Sequence, residues 1–214
     1  MAIASVHGHE QAAQQPVLGL QTLVGDVAAF HGAVRGVSAH VFRSRPRDKA
    51  LTWQLVRARI EDGLAVDPCP DVIGEPGTAS DAIRRSAART LRVRRPQEWH
   101  PWIDRLRTGL SADLGTEVAA ALYLSRPVWH NRFGGSGGAA DVPRPECATG
   151  DHDVFVLQLD GRTHWTTEDR REDHGDHRSV SLAPGDVLYL PAQQAYASAV
   201  RESGSLHLVL SAPL

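Results

Sequence analysis

Two stretches decide the fold: Asp153-Val154-Phe155-Val156-Leu157-Gln158-Leu159-Asp160-Gly161 and Leu182-Ala183-Pro184-Gly185-Asp186-Val187-Leu188-Tyr189-Leu190-Pro191. Each is a short apolar run punctuated by turn residues. Asp160-Gly161 closes the first, and Pro184-Gly185-Asp186 introduces the apolar part of the second. Runs of this kind read as strands joined by tight turns. Working outward, residues 118–125, 163–167, 180–182, 195–200 and 206–211 have the same character, so the C-terminal half reads as a block of short strands.

The N-terminal half has a different period. Val27, Phe30 and Val34 are at helical spacing in residues 26–34. Trp53, Val56 and Ile60 form one stripe in residues 51–64, and Asp62-Gly63 supplies a stop. Trp99, Trp102, Ile103, Leu106 and Leu110 trace the apolar face of a helix over residues 96–114, ended by Gly115. Residues 90–94 read as a short strand and 66–80 as a loop. Helices followed by a block of strands predict a mainly β chain with α, a sandwich or barrel with helical N-terminal decoration. On this reading residues 1–17 are a frayed polar terminus, 18–117 a helical part packed on the barrel, and 118–214 the barrel itself. Residues 126–150 contain Gly134-Gly135-Ser136-Gly137-Gly138 and read as an active-site lid or a disordered insertion.

Composition narrows the function classes. The chain has 214 residues, 42% hydrophobic and 22% charged, as a soluble globular protein has. A net charge of -2 gives no general attraction to nucleic acid or anionic membrane. No apolar run approaches the roughly 20 residues that span a bilayer. The N-terminus lacks the charged and apolar regions of a secretory signal. Cys69 and Cys147 make no disulfide framework, so a reduced cytoplasm is expected. The expected partner is a small molecule, with neither nucleic acid nor membrane.

Three segments together resemble the bacterial JmjC-type cupins, a group that includes ribosomal-protein hydroxylases. The first runs from Trp102-Ile103-Asp104 to Ala121-Leu122-Tyr123-Leu124-Ser125. The second is the Asp153 to Gly161 stretch continuing to Trp165, and the third is the Leu182 to Pro191 stretch with Ser205-Leu206-His207-Leu208. The resemblance implies a double-stranded β-helix, or jelly roll. It implies iron(II)- and 2-oxoglutarate-dependent oxygenases, whose metal is held by His-x-Asp and a distant His with open sites for co-substrate and dioxygen. Family members often dimerise through helical elements, so a homodimer stays open.

This chain departs from the pattern at the positions that carry the chemistry. The resemblance places the first His at Ala148, the Asp at Gly150, the distal His at Tyr196, the oxoglutarate anchor at Thr163 and a strand Asn at Ala121. A methyl group and a hydrogen donate no electrons to iron, and a neutral phenol is a poor ligand for Fe(II). Neither metal nor cofactor is therefore expected.

Strand alternation puts His152 on the same face as Gly150 and Ala148, with Asp151 beside it. The reading is then a metal-independent cupin enzyme whose acid–base set is Tyr196, His152 and Asp151. Tyr123, Thr163, Trp165, His130 and Gln194 would line its substrate site. Such a set suits dehydration, conjugate addition or cyclisation, a lyase or cyclase of bacterial natural-product biosynthesis. One alternative is an Fe(II)/2-oxoglutarate oxygenase with displaced ligands; another is a non-catalytic ligand-binding cupin. The plain reading of the Tyr196 and His152 pair is a mutual hydrogen bond that fills the hole.

Other motifs carry less. The glycine-rich segment matches G-x-S-x-G without the strand and helix a nucleophile elbow needs. His7-Gly8-His9-Glu10 is no His-Glu-x-x-His helix. His164 alternates to the face opposite Trp165, and His207 reads as part of the frame. His174 and His177 fall in a charged hairpin, and Arg92 to Arg95 read as a solvated face.

Overall fold

The computed structural model describes residues 18–68, 90–125, 150–168, 177–194, 196–200 and 204–214. The expected frayed terminus and lid, with His130 and Ala148, lie outside the described residues, apart from Gly150 at the lid's end.

Helix α1 (Leu20–Val24) is tied down by Asp113, whose Oδ2 accepts the Leu20 N–H at 2.7 Å. Asp26 caps α2 (Val27–Ala29) by accepting from the Ala29 N–H, and the chain runs on as a π-turn over Phe30–Val34. Thr52 caps α3 (Trp53–Glu61) in the same way, accepting from the Leu55 N–H at 3.3 Å. The helix expected over residues 96–114 is broken. Pro96–Glu98 is a single 3₁₀ turn, and α4 (Pro101–Leu114) starts afresh. Pro101 is the cause: its ring disfavours helical backbone at His100, which is extended at φ -124°, ψ 101°. Gly115, at φ 69°, ends α4.

Ten strands form two sheets among the described residues. They are β1 (His40–Phe42), β2 (Val66–Pro68), β3 (Leu91–Arg94), β4 (Ala119–Ser125), β5 (His152–Asp160), β6 (Thr163–Glu168), β7 (His177–Leu182), β8 (Val187–Leu190), β9 (Tyr196–Ala199) and β10 (Ser205–Pro213). The larger sheet runs β1-β8-β5-β10-β4-β3-β2 and the smaller β7-β6-β9, with antiparallel pairing throughout. The two sheets make an antiparallel jelly roll. The N-terminal part is not only helical, because β1, β2 and β3 all extend the larger sheet.

Asp160-Gly161 carries the chain from one sheet to the other. Gly161 has φ 66°, and a Cβ there would lie 1.9 Å from the Gly204 carbonyl oxygen. Only glycine allows that approach.

Strand β5 is buried along nearly its whole length because it serves two cores. Phe155, Leu157 and Leu159 face a helix-covered core with Leu23, Phe30, Val56, Ile103 and Leu106. Val154 and Val156 face a smaller core between the sheets, with Trp165, Leu182, Leu188 and Leu190. Period-two alternation sends successive side chains to opposite layers. The between-sheet face is the barrel lumen. Among the described residues, no helix is long and apolar enough to cross a membrane.

The barrel lumen as candidate functional site

Alternation and register fix which side chains share the lumen. Val154 and Val156 set the parity on β5, which adds Gln158. Register then brings His207 on β10 opposite both Gln158 on β5 and Tyr123 on β4. On β6 the same face carries Thr163, Trp165 and Thr167, with Ser198 of β9 opposite Trp165 and Tyr196 opposite Thr167.

At one end is a hydroxyl and amide cluster. Gln158 Nε2 donates to Ser205 Oγ at 2.8 Å and to the Asp160 carbonyl at 2.7 Å. Thr163 Oγ1 and Ser205 Oγ are 2.5 Å apart, and both residues are fully buried. Next comes an aromatic cluster. The His207 ring stacks on Tyr123 at 5.3 Å and 6°. Trp165 reaches across from the other sheet, edge-on to His207 at 5.7 Å and against Tyr196 at 5.5 Å. The Arg92 guanidinium lies 5.9 Å from the Tyr123 ring centre.

Among the described residues, three buried polar atoms of this lumen have no hydrogen-bond partner: Gln158 Oε1, Trp165 Nε1 and His207 Nδ1. Burial also pushes the His207 imidazole down to a pKa of about 4, so it is neutral at physiological pH. Asp153 belongs to the other face of β5. Its carboxylate accepts from Tyr189 Oη at 2.9 Å, Arg35 Nε at 3.2 Å and the Ala192 N–H at 3.3 Å. Tyr189 Oη in turn accepts from the Gly36 N–H at 2.8 Å. Burial, with the Asp153 charge beside it, pushes the Tyr189 phenol up.

The sequence-predicted residues are divided by this geometry. Tyr123, Thr163, Trp165 and Tyr196 are on the lumen face, and Gln194 is buried in the turn between β8 and β9. His152 and Asp151 are exposed. His152 has the lumen parity expected of it, but it sits at the strand end opposite Pro213. There Gln193 donates to the Gly150 carbonyl and Leu214 to the Asp151 carbonyl, which closes the end of the sheet. His207 is the residue that the sequence reading passed over. Its signal was a lone polar side chain inside Leu206-His207-Leu208-Val209-Leu210.

The described residues do not fit iron. Gly150 offers no donor, Thr163 Oγ1 is engaged with Ser205, and Tyr196 packs on Trp165. Among the described residues no three His, Cys, Asp or Glu side chains come together as a metal site. No step is therefore routed through a metal. The described faces of the lumen carry no acidic group, and one of its unpartnered atoms, Trp165 Nε1, is a donor.

Residues 149–213 match the JmjC domain family. The fold superposes on the X-ray structure of Escherichia coli ycfD at 17% identity and TM-score 0.58, covering 90% of this chain and 54% of that one. A crystal structure of the Escherichia coli ribosomal oxygenase YcfD gives 18% identity and TM-score 0.62, with 90% and 52% covered. Its complex with cobalt and 2-oxoglutarate gives 15% and 0.59, with 90% and 53% covered. The chain thus spans about half the length of these structures. No protein of curated function matches it in sequence.

These findings overturn the expected metal-independent lyase or cyclase. The solved structures that this chain resembles include the ribosomal oxygenase YcfD, in one case in complex with cobalt and 2-oxoglutarate. The acid–base set is also not assembled, since His152 and Asp151 are exposed rather than buried beside Tyr196.

Proposed function

We propose that this chain, which carries a JmjC-type cupin domain, is an oxygenase that takes a 2-oxo acid as co-substrate. One observation carries the reading: the likeness over 90% of the chain to a ribosomal oxygenase in complex with 2-oxoglutarate. The lumen agrees with it in chemistry. Tyr123, Trp165, Tyr196 and His207 wall a partly apolar space, and Thr163 and Ser205 place hydroxyls at its end. Aromatic walls orient a small acid through a few polar contacts. In the family, iron supplies the dioxygen chemistry. The residues here that would hold the acid are assigned apart from that step.

The test is turnover of 2-oxoglutarate by the purified chain with added Fe(II) and ascorbate, read as succinate, alongside the iron content of the protein. Succinate formation is expected, and its absence would overturn the reading. A second reading, a barrel that binds a small acid without turnover, is favoured by the missing donor set. It predicts that 2-oxoglutarate raises the melting temperature while no succinate forms.

A further inference from the structure

We propose that His207 and Trp165 form a carboxylate subsite in the lumen, and that the carboxylate enters together with one proton, which His207 takes. The proposal deepens the co-substrate part of the reading above, and its test is binding alone.

Unpartnered atoms point to the subsite. Trp165 is 3% exposed and His207 5%, and the buried Trp165 Nε1 and His207 Nδ1 lack a hydrogen-bond partner among the described residues. Leaving such groups dry costs about 1–3 kcal/mol each, so two in one lumen mark a place where a ligand or water belongs. The two rings come from different sheets and meet edge-on at 5.7 Å. A carboxylate within reach of both nitrogens would accept from both. Trp165 can only donate, which selects an acceptor ligand. Tyr123 and Tyr196 are half-buried, so solvent reaches this aromatic cluster.

The proton follows from charge. Among the described residues, the groups around His207 are Tyr123 on β4, Gln158 and Val156 on β5, Trp165 on β6, and Ser205 and Val209 on its own strand. Tyr123 is the one titratable group among them, and Arg92, beyond it, is exposed. No described acid faces the ring. Burial alone therefore keeps His207 neutral, with a pKa of about 4 when the lumen is empty. A carboxylate alone would be an unpaired buried charge, which is costly. If His207 takes a proton from solvent as the anion enters, the site holds an imidazolium–carboxylate pair of no net charge. Bond changes are limited to that transfer: one proton leaves solvent and one N–H forms on the imidazole.

The experiment is titration calorimetry of the full chain with succinate, a dicarboxylate that the oxygenase reaction does not consume. Runs in buffers of different ionisation enthalpy at about pH 7 count the protons taken up. One proton per succinate is expected, with Kd rising about tenfold per pH unit from pH 5.5 to 7. His207→Gln should bind with no proton uptake and a nearly flat pH profile. Trp165→Phe should weaken binding about tenfold while keeping the uptake, as loss of one hydrogen bond to a charged group does. Binding with no proton uptake by the wild type would overturn the proposal. So would failure to bind, or a His207→Gln profile like the wild type's. Far-UV circular dichroism of both variants checks folding, and a variant that loses its fold is replaced by His207→Asn or Trp165→Tyr. Absence of 2-oxoglutarate turnover leaves the proton count untouched, so the two readings fail separately.

Discussion

His207 should make the protein acid-labile in the absence of any ligand, by an amount the structure sets. Its imidazole is neutral in the fold because burial disfavours the charged form, and its pKa falls from 6.5 to about 4. The unfolded chain therefore binds the proton more readily than the folded one. Between these two values stability rises with pH and is lost as pH falls, since the unfolded state is protonated first. At about pH 7 the linkage is small, a few tenths of a kcal/mol. By about pH 5 the unfolded imidazole is almost wholly charged while the folded one is not, and the loss reaches about 2 kcal/mol. The full shift corresponds to about 3 kcal/mol, reached below about pH 4. Urea denaturation at about pH 7 and pH 5 measures it. With a typical slope of about 2 kcal/mol per molar urea, the wild-type midpoint should fall by about 1 M from this residue alone. Other titrating groups shift both proteins alike, so the control is His207→Gln, whose midpoint should fall less by about that amount. Equal falls in the two proteins would refute the claim that His207 is a buried neutral imidazole.

Three further outcomes follow from the fold. Asp153→Ala should cost roughly 3 kcal/mol, because it strands the Tyr189 hydroxyl and the Ala192 N–H in the core, and urea denaturation at neutral pH reads it. Arg35 adds little to that sum, since its side chain is 31% exposed and turns to water. Tyr189→Phe should cost less, about 1–2 kcal/mol by the same assay, from loss of its bonds to Asp153 and Gly36. Gly161→Ala and Gly115→Ala share a left-handed backbone, at φ 66° and 69°, but differ in space. A Cβ at Gly115 meets nothing within 4 Å and should cost about 1 kcal/mol, whereas at Gly161 it would strike the Gly204 carbonyl and abolish soluble expression.

What the sequence revealed and what it hid follow one physical rule. The strands of the C-terminal half were legible because each is an apolar run closed by turn residues, and the observed β4 to β10 overlap the expected runs. Strands β1 and β2 were not, because three residues cannot display an alternation, and they exist through pairing with β8 and β3 far along the chain. The same rule explains the site. Alternation names a face and says nothing about depth. It gave His152 the lumen parity, but only the closure of the sheet end by Gly150 and Leu214 shows that this residue lies outside. His207 was hidden for the converse reason. In a strand buried on both sides, Leu206 to Leu210, neither parity reads as the solvent face, so a polar residue there looks like frame. Register removes the ambiguity, since His207 lies opposite Tyr123 and Gln158 and hence on the face that looks across to Trp165. The side chains that could hold a ligand come from β4, β5, β6, β9 and β10, on two sheets. No local motif encodes such a site, and a departure from a local motif, as at Gly150 and Thr163, does not describe what replaces it.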